Sequence, residues 1–137
     1  MQIKFIALLI LFFSSMSSSA NIINVMNIVG KNEIQVADML GTPTGCSKSK
    51  HGRKCSYAKA ETEIMFIRGK ADWITIEGID NVPFNNNALK YIGITPKAPT
   101  FSNNFMIRWT HLQTLKEVTL FKGQKNSGYV YIKAFSK

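Results

Sequence analysis

The sequence has no apolar run long enough to cross a bilayer, few carboxylates and only two cysteines. The run from Phe5 to Phe13 is nine residues, whereas a membrane-spanning helix needs about 20. Lys4 precedes it, and Ser14, Ser15, Met16, Ser17, Ser18, Ser19 and Ala20 follow, small residues that suit a cleavage groove. Residues 1–20 are therefore expected to be a signal peptide cleaved after Ala20. Residues 21–137 then form one exported, soluble α+β domain, periplasmic or extracellular. Neither cysteine follows the apolar run closely, which argues against lipid attachment.

Carboxylates number 8 against 17 lysines and arginines, a formal charge of +9. Such an excess favours contact with phospholipid headgroups, acidic polysaccharide or an acidic protein, and it equally keeps an exported protein soluble. Two cysteines in an exported chain point to a Cys46–Cys55 disulfide, which would stabilise by about 2 to 3 kcal/mol in the chain-entropy model. The segment between them is polar throughout. It reads either as a stapled basic finger presenting Lys48, Lys50, Arg53 and Lys54 to an anion, or as a solvated connection. A metal site built on the two cysteines and His51 would want a fourth ligand and has no Cys-x-x-Cys spacing. No metal or cofactor is expected.

Catalytic constellations are also missing. There is no phosphate loop, no Gly-x-Ser-x-Gly elbow and no carboxylate pair at helical spacing. His51 lies among basic residues, His111 falls in an expected turn over Thr110 to Thr114, and Asp72 stands alone beside a turn. The chain reads as a non-enzyme. Export and the lack of a recognition-helix pattern argue against nucleic acid as a partner.

What is present is an ordered series of elements. Asn32 with Gln35 three residues on offers a capped helix over about 33–40, with Val36, Met39 and Leu40 on one face and Gly41 and Pro43 as the stop. Ser56 to Ala58, Thr62 to Ile67 and Trp73 to Ile76 read as strands, with Arg68-Gly69-Lys70 as a tight turn. A similar order returns: Asn85 to Asn87 precede a short helix over Ala88 to Ile92, and Met106 to Trp109, Glu117 to Phe121 and Tyr129 to Phe135 read as strands. The halves, about 29–78 and 84–137, suggest a degenerate tandem αβββ repeat, with Tyr57 matching Trp109, Glu63 matching Glu117 and Gly69 matching Gly123. The expected fold is one antiparallel sheet of about six strands with two short helices on one face.

The run Val29-Gly30-Lys31 through Val36-Ala37, Met39-Leu40-Gly41 and Pro43 resembles the opening of small exported modules such as the lipoprotein subunit of the outer-membrane barrel-assembly machinery. Those modules share an architecture with the β-lactamase inhibitor proteins. Ile64 to Ile76, Val82-Pro83-Phe84, Ala88-Leu89-Lys90 and Ile107-Arg108-Trp109 resemble more closely an uncharacterised family of small secreted bacterial domains. The inhibitor-like resemblance implies a tandem unit whose open sheet face grips a partner. The chain departs from the assembly lipoproteins in lacking a lipidated cysteine.

Two short helices cannot hide both faces of six strands, so one face should stay open. Strand alternation directs Val130, Ile132, Ala134, Ile74 and Ile76 inward and leaves Tyr129, Tyr131, Lys133, Phe135, Trp73 and Thr75 outward. The candidate protein-binding surface is therefore Trp73, Tyr129 and Tyr131, joined by Arg108 and Trp109, because Trp, Tyr and Arg dominate interface energetics. Aromatics are also good strand formers and can pack across strands. The second candidate partner is an anionic polysaccharide or lipid headgroup at the basic loop.

Overall fold

The computed structural model describes residues 21–136; the expected signal peptide, residues 1–20, lies outside them. Among the described residues there are three α-helices, one 3-10 turn (Lys59–Glu61) and eight strands. The helices are α1 (Val25–Ile28), α2 (Glu33–Leu40) and α3 (Ala88–Tyr91). The strands are β1 (Gly45–Lys48), β2 (Arg53–Tyr57), β3 (Thr62–Ile67), β4 (Lys70–Ile76), β5 (Phe101–Ser102), β6 (Met106–Leu112), β7 (Leu115–Lys122) and β8 (Ser127–Lys133). All eight form one antiparallel sheet in the order β1-β2-β3-β4-β8-β7-β6-β5. The α+β class stands, with eight strands in place of six and one more short helix.

The order reads the same from either edge: two four-stranded meanders meet along β4 and β8, where Ile74 faces Ile132. The register of β2 on β3 recurs in β6 on β7, so that Lys54 and Glu63 occupy the places of Arg108 and Glu117. This register sets Trp109 opposite Val118 as Cys55 is set opposite Ile64. With Glu63 matched to Glu117, this register makes Cys55 rather than Tyr57 the positional counterpart of Trp109.

α2 begins as its sequence dictates. Asn32 Oδ1 accepts from the Gln35 N–H at 2.9 Å, and Gln35 Oε1 accepts from the Asn32 N–H at 3.0 Å. This reciprocal cap satisfies two amides that the helix cannot. Val36 is fully buried and Leu40 packs on the core, but Met39 is exposed because the short helix turns only a narrow stripe toward the sheet.

The core lies on one face of the sheet. Ile64, Phe66, Ile74, Ile76, Val118, Leu120, Val130 and Ile132 alternate inward and join Val25, Ile28, Val36 and Leu89 of the helices. Strand alternation thus holds for β3, β4, β7 and β8.

The segment between the cysteines is not a loose loop but a hairpin. Cys46 and Cys55 are direct cross-strand partners with Cα atoms 4.1 Å apart, and their disulfide is formed. The turn closes through Ser49 N–H and Oγ, both donating to Gly52 C=O at 2.7 and 3.0 Å. A side chain at Gly52 would run into the Phe66 carbonyl, so only glycine lets the chain entering β2 approach β3 here. β1 and β5 carry no run of inward apolar residues, and only their pairing to a neighbour makes them strands. The turn expected over Thr110 to Thr114 is tighter than that: β6 continues to Leu112 and β7 starts at Leu115, leaving His111 exposed within a strand.

Candidate binding face on the open side of the sheet

The face opposite the core is a grid whose rows follow from strand register. One row runs Met65, Trp73, Lys133, Glu117, Thr110; the next runs Glu63, Thr75, Tyr131, Thr119, Arg108, Phe101; a third runs Tyr129, Phe121, Met106. Tyr131 stands near the middle, on a strand that pairs at the centre of the sheet.

Trp73 is the most constrained member. Its indole N–H donates to Ser136 Oγ at 2.6 Å, the His51 ring packs against it with centroids 4.9 Å apart, and Lys133 Nζ lies 5.8 Å from the ring centroid. The β1–β2 turn therefore leans over the open face, also bringing Ser49 Oγ to 3.3 Å from Met65 Sδ. In the third row, Phe121 and Tyr129 stack with centroids 4.5 Å apart and planes 18° from parallel. Trp73 and Tyr129 lie on paired strands but four residues apart in register, roughly 13 Å at strand rise. The aromatics thus form a diagonal ridge from Trp73 through Tyr131 to the Phe121–Tyr129 stack.

Arg108 flanks the ridge. Its Nε donates to Thr119 Oγ1 at 3.3 Å and forms an ion pair with Glu117 Oε1 3.0 Å away. Thr119 is buried on this face, with its strand neighbours Arg108 and Tyr131 on either side. Burial, then the negative charges of Glu117 and Asp72, push the Tyr131 phenol above its usual 10.0, so its hydroxyl is a neutral donor and acceptor.

Four of the five residues expected for a protein-binding surface meet on this face: Trp73, Arg108, Tyr129 and Tyr131. Trp109 does not. It points into the core, 1% exposed, and its indole N–H donates to the Lys97 carbonyl at 2.8 Å. It neighbours Arg108 on one strand, so alternation sends the two to opposite faces. Phe135 also departs from the strand pattern: beyond the end of β8 its ring turns onto Gly30. Phe121, Met65 and Met106 belong to the face and were missed; the alternation of Phe121 against Val118 and Leu120 carried the signal.

The four expected anion-binding residues do not form one finger. Arg53 projects to the helix side, where its Nε donates to Glu33 Oε1 at 2.9 Å, while Lys54 projects to the open face with Nζ 3.8 Å from Glu63. Lys48 pairs with Arg53 across the hairpin, and Lys50 sits in the turn. Glu33, Cys46 and Cys55 bring ligand-type atoms within 4.8 Å of one another, but sulfurs joined in a disulfide offer no thiolate to a metal.

Asp72 is buried, and its carboxylate accepts from the Phe135 N–H at 3.0 Å and from the Ser136 N–H at 3.2 and 3.3 Å. It anchors the segment after β8. His51 rests on Trp73, and neither histidine forms an ion pair with a carboxylate among the described residues.

No family model, curated protein or solved structure matches this chain. No described helix is long and apolar enough to cross a membrane.

Proposed function

We propose that the chain is a non-enzymatic, exported binding module that engages a protein partner through the open face of its sheet. The observation that carries this reading is the ridge of Trp73, Tyr131, Phe121 and Tyr129 across a face that no described helix covers. Trp and Tyr bury large area with few rotatable bonds, and an arginine already oriented by Glu117 adds donors whose position is fixed in advance. Met65 and Met106 at either side are adaptable apolar surface. The recurring register of the two meanders supports reading the halves as copies of one helix-plus-meander unit, with the face spanning both.

The alternative, binding of an anionic envelope polymer or membrane surface through the disulfide-closed hairpin alone, has less support, because two of its four cations are ion-paired on opposite faces.

A photo-crosslinking amino acid placed at Tyr131, and separately at Ile34 on α2, tests the proposal. Partner protein cross-linked from position 131 and not from 34, and captured through high-salt washes, is the expected result. Tyr131→Ala should weaken capture at least tenfold while leaving the fold intact. Equal capture by parent and Tyr131→Ala would overturn the reading.

A further inference from the structure

Strand direction gathers basic residues that are far apart in sequence. The β1–β2 turn, the β3–β4 turn, the end of β8, the start of α2 and the α1–α2 link all lie at one end of the sheet. Arg53 pairs with Phe66 and Phe66 with Ala71; Gly30 N–H donates to Ala71 C=O and Ala71 N–H to Lys31 C=O, both at 2.8 Å; and the Asp72 carboxylate holds Phe135. Exposed Lys31, Lys48, Lys50, Arg68 and Lys70 therefore share this end. β1 and β4 are three strand spacings apart, roughly 14 Å, so these charges act on one surface rather than as a local finger.

Most acidic groups are arranged away from them; Asp38 is the exception, exposed on α2 one turn beyond Ile34. At this end Glu33 is occupied by Arg53, and the Asp72 oxygens are turned onto backbone N–H groups. Glu63 and Glu117 are ion-paired on the open face, and Glu61, Glu77 and Asp80 lie at the opposite end.

Apolar groups stand exposed among the cations. Ile34, in the first turn of α2, is 76% exposed and Phe135 is 48% exposed. Ile67 and Phe135 line a hollow of about 540 Å³ that Arg68 and Lys70 flank. A hydrated polyanion would be met by the cations alone and has no use for exposed Ile and Phe side chains. An anionic bilayer uses both: headgroups meet the lysines and arginine, and the apolar side chains enter the boundary of the acyl region.

The geometry points to this end of the sheet as a docking surface for an anionic phospholipid bilayer, separate from the open face. The protein freed of residues 1–20 retains every described core residue, and sedimentation with phosphatidylcholine vesicles, with and without phosphatidylglycerol, tests it. Partition onto the anionic vesicles only is expected, weakened about tenfold or more by Arg68→Gln with Lys70→Gln. Ile34→Asn should weaken it severalfold without disturbing the fold, since that side chain is largely in solvent. Tyr131→Ala should bind vesicles like the parent, so that failure here is distinguishable from failure of the open-face reading. Equal sedimentation with both vesicle types would overturn the proposal. So would an Ile34→Asn variant that binds as tightly as the parent and is displaced by dextran sulfate, an outcome that assigns the end to soluble polyanions.

Discussion

Tyr57 buries its ring to 2% exposure, yet its hydroxyl meets no hydrogen-bond partner among the described residues. A buried hydroxyl without a partner costs roughly 1 to 3 kcal/mol. Tyr57→Phe is therefore expected to raise the unfolding free energy by about 1 kcal/mol, read as a higher urea midpoint at unchanged slope. The same residue sets a pH dependence. Burial and then Glu33 raise the Tyr57 phenol above 10.0, against the opposing pull of Arg53, and Tyr131 is raised as well. Below pH 10 both folded and unfolded chains are protonated at these sites, and their contribution is complete. Above it the unfolded chain loses its protons first, so stability falls as pH rises toward the folded-state values. Stability measured between about pH 9 and 11 should fall less steeply in a Tyr57→Phe, Tyr131→Phe double variant; identical slopes would contradict the assignment.

The β1–β2 hairpin is the element whose stability depends most on a single covalent bond. β1 is an edge strand of four residues with no fully buried side chain, and Cys46–Cys55 ties it to β2. Replacing both cysteines with serine should cost up to about 2.5 kcal/mol in the chain-entropy model. Amide exchange should quicken in β1 and in the turn leaning on Trp73, with β4 and β8 unchanged relative to global opening. Uniform acceleration across the sheet would show that the bond supports the whole fold instead. The elements also show what a sequence can disclose. The Asn32–Gln35 cap of α2 and the alternating run Thr62–Ile67 were legible because local chemistry decides them. β1 and β5 were not, because Gly45-Cys46-Ser47-Lys48 and Phe101-Ser102 are strands only by pairing with a neighbour. Trp109 was misplaced for a related reason: aromatic chemistry suits an interface and a core equally, and the parity of its own strand had to decide between them. The basic end was hidden entirely, since Lys31, Lys48 and Lys70 become neighbours only once the turns are stacked.

At the scale of the molecule, the two meanders share one hydrophobic core across the β4–β8 seam. Ile74, Ile76, Val130 and Ile132 are each at most 2% exposed, and Ser127 N–H and Asn126 Nδ2 tie the end of the second meander to Val82 and Asp80 carbonyls. Neither half can open without exposing this seam, so unfolding should be a single transition despite the repeated layout. Each half carries one tryptophan, Trp73 in the first meander and Trp109 in the second. Fluorescence of Trp73→Phe then reports only on the second half, and fluorescence of Trp109→Phe only on the first. Within each variant, the fluorescence midpoint in urea should coincide with the midpoint from far-ultraviolet circular dichroism. Trp109→Phe should lower its own midpoint, because a smaller ring leaves a void in the core and removes the donor to Lys97 C=O. Trp73→Phe should lower it less, since that half-buried ring gives up its bond to Ser136 but opens no void in the core. A variant whose tryptophan signal changes in a different urea range from its backbone signal would mean that the meanders unfold separately, and the shared seam would then be a docking interface between two domains rather than the centre of one.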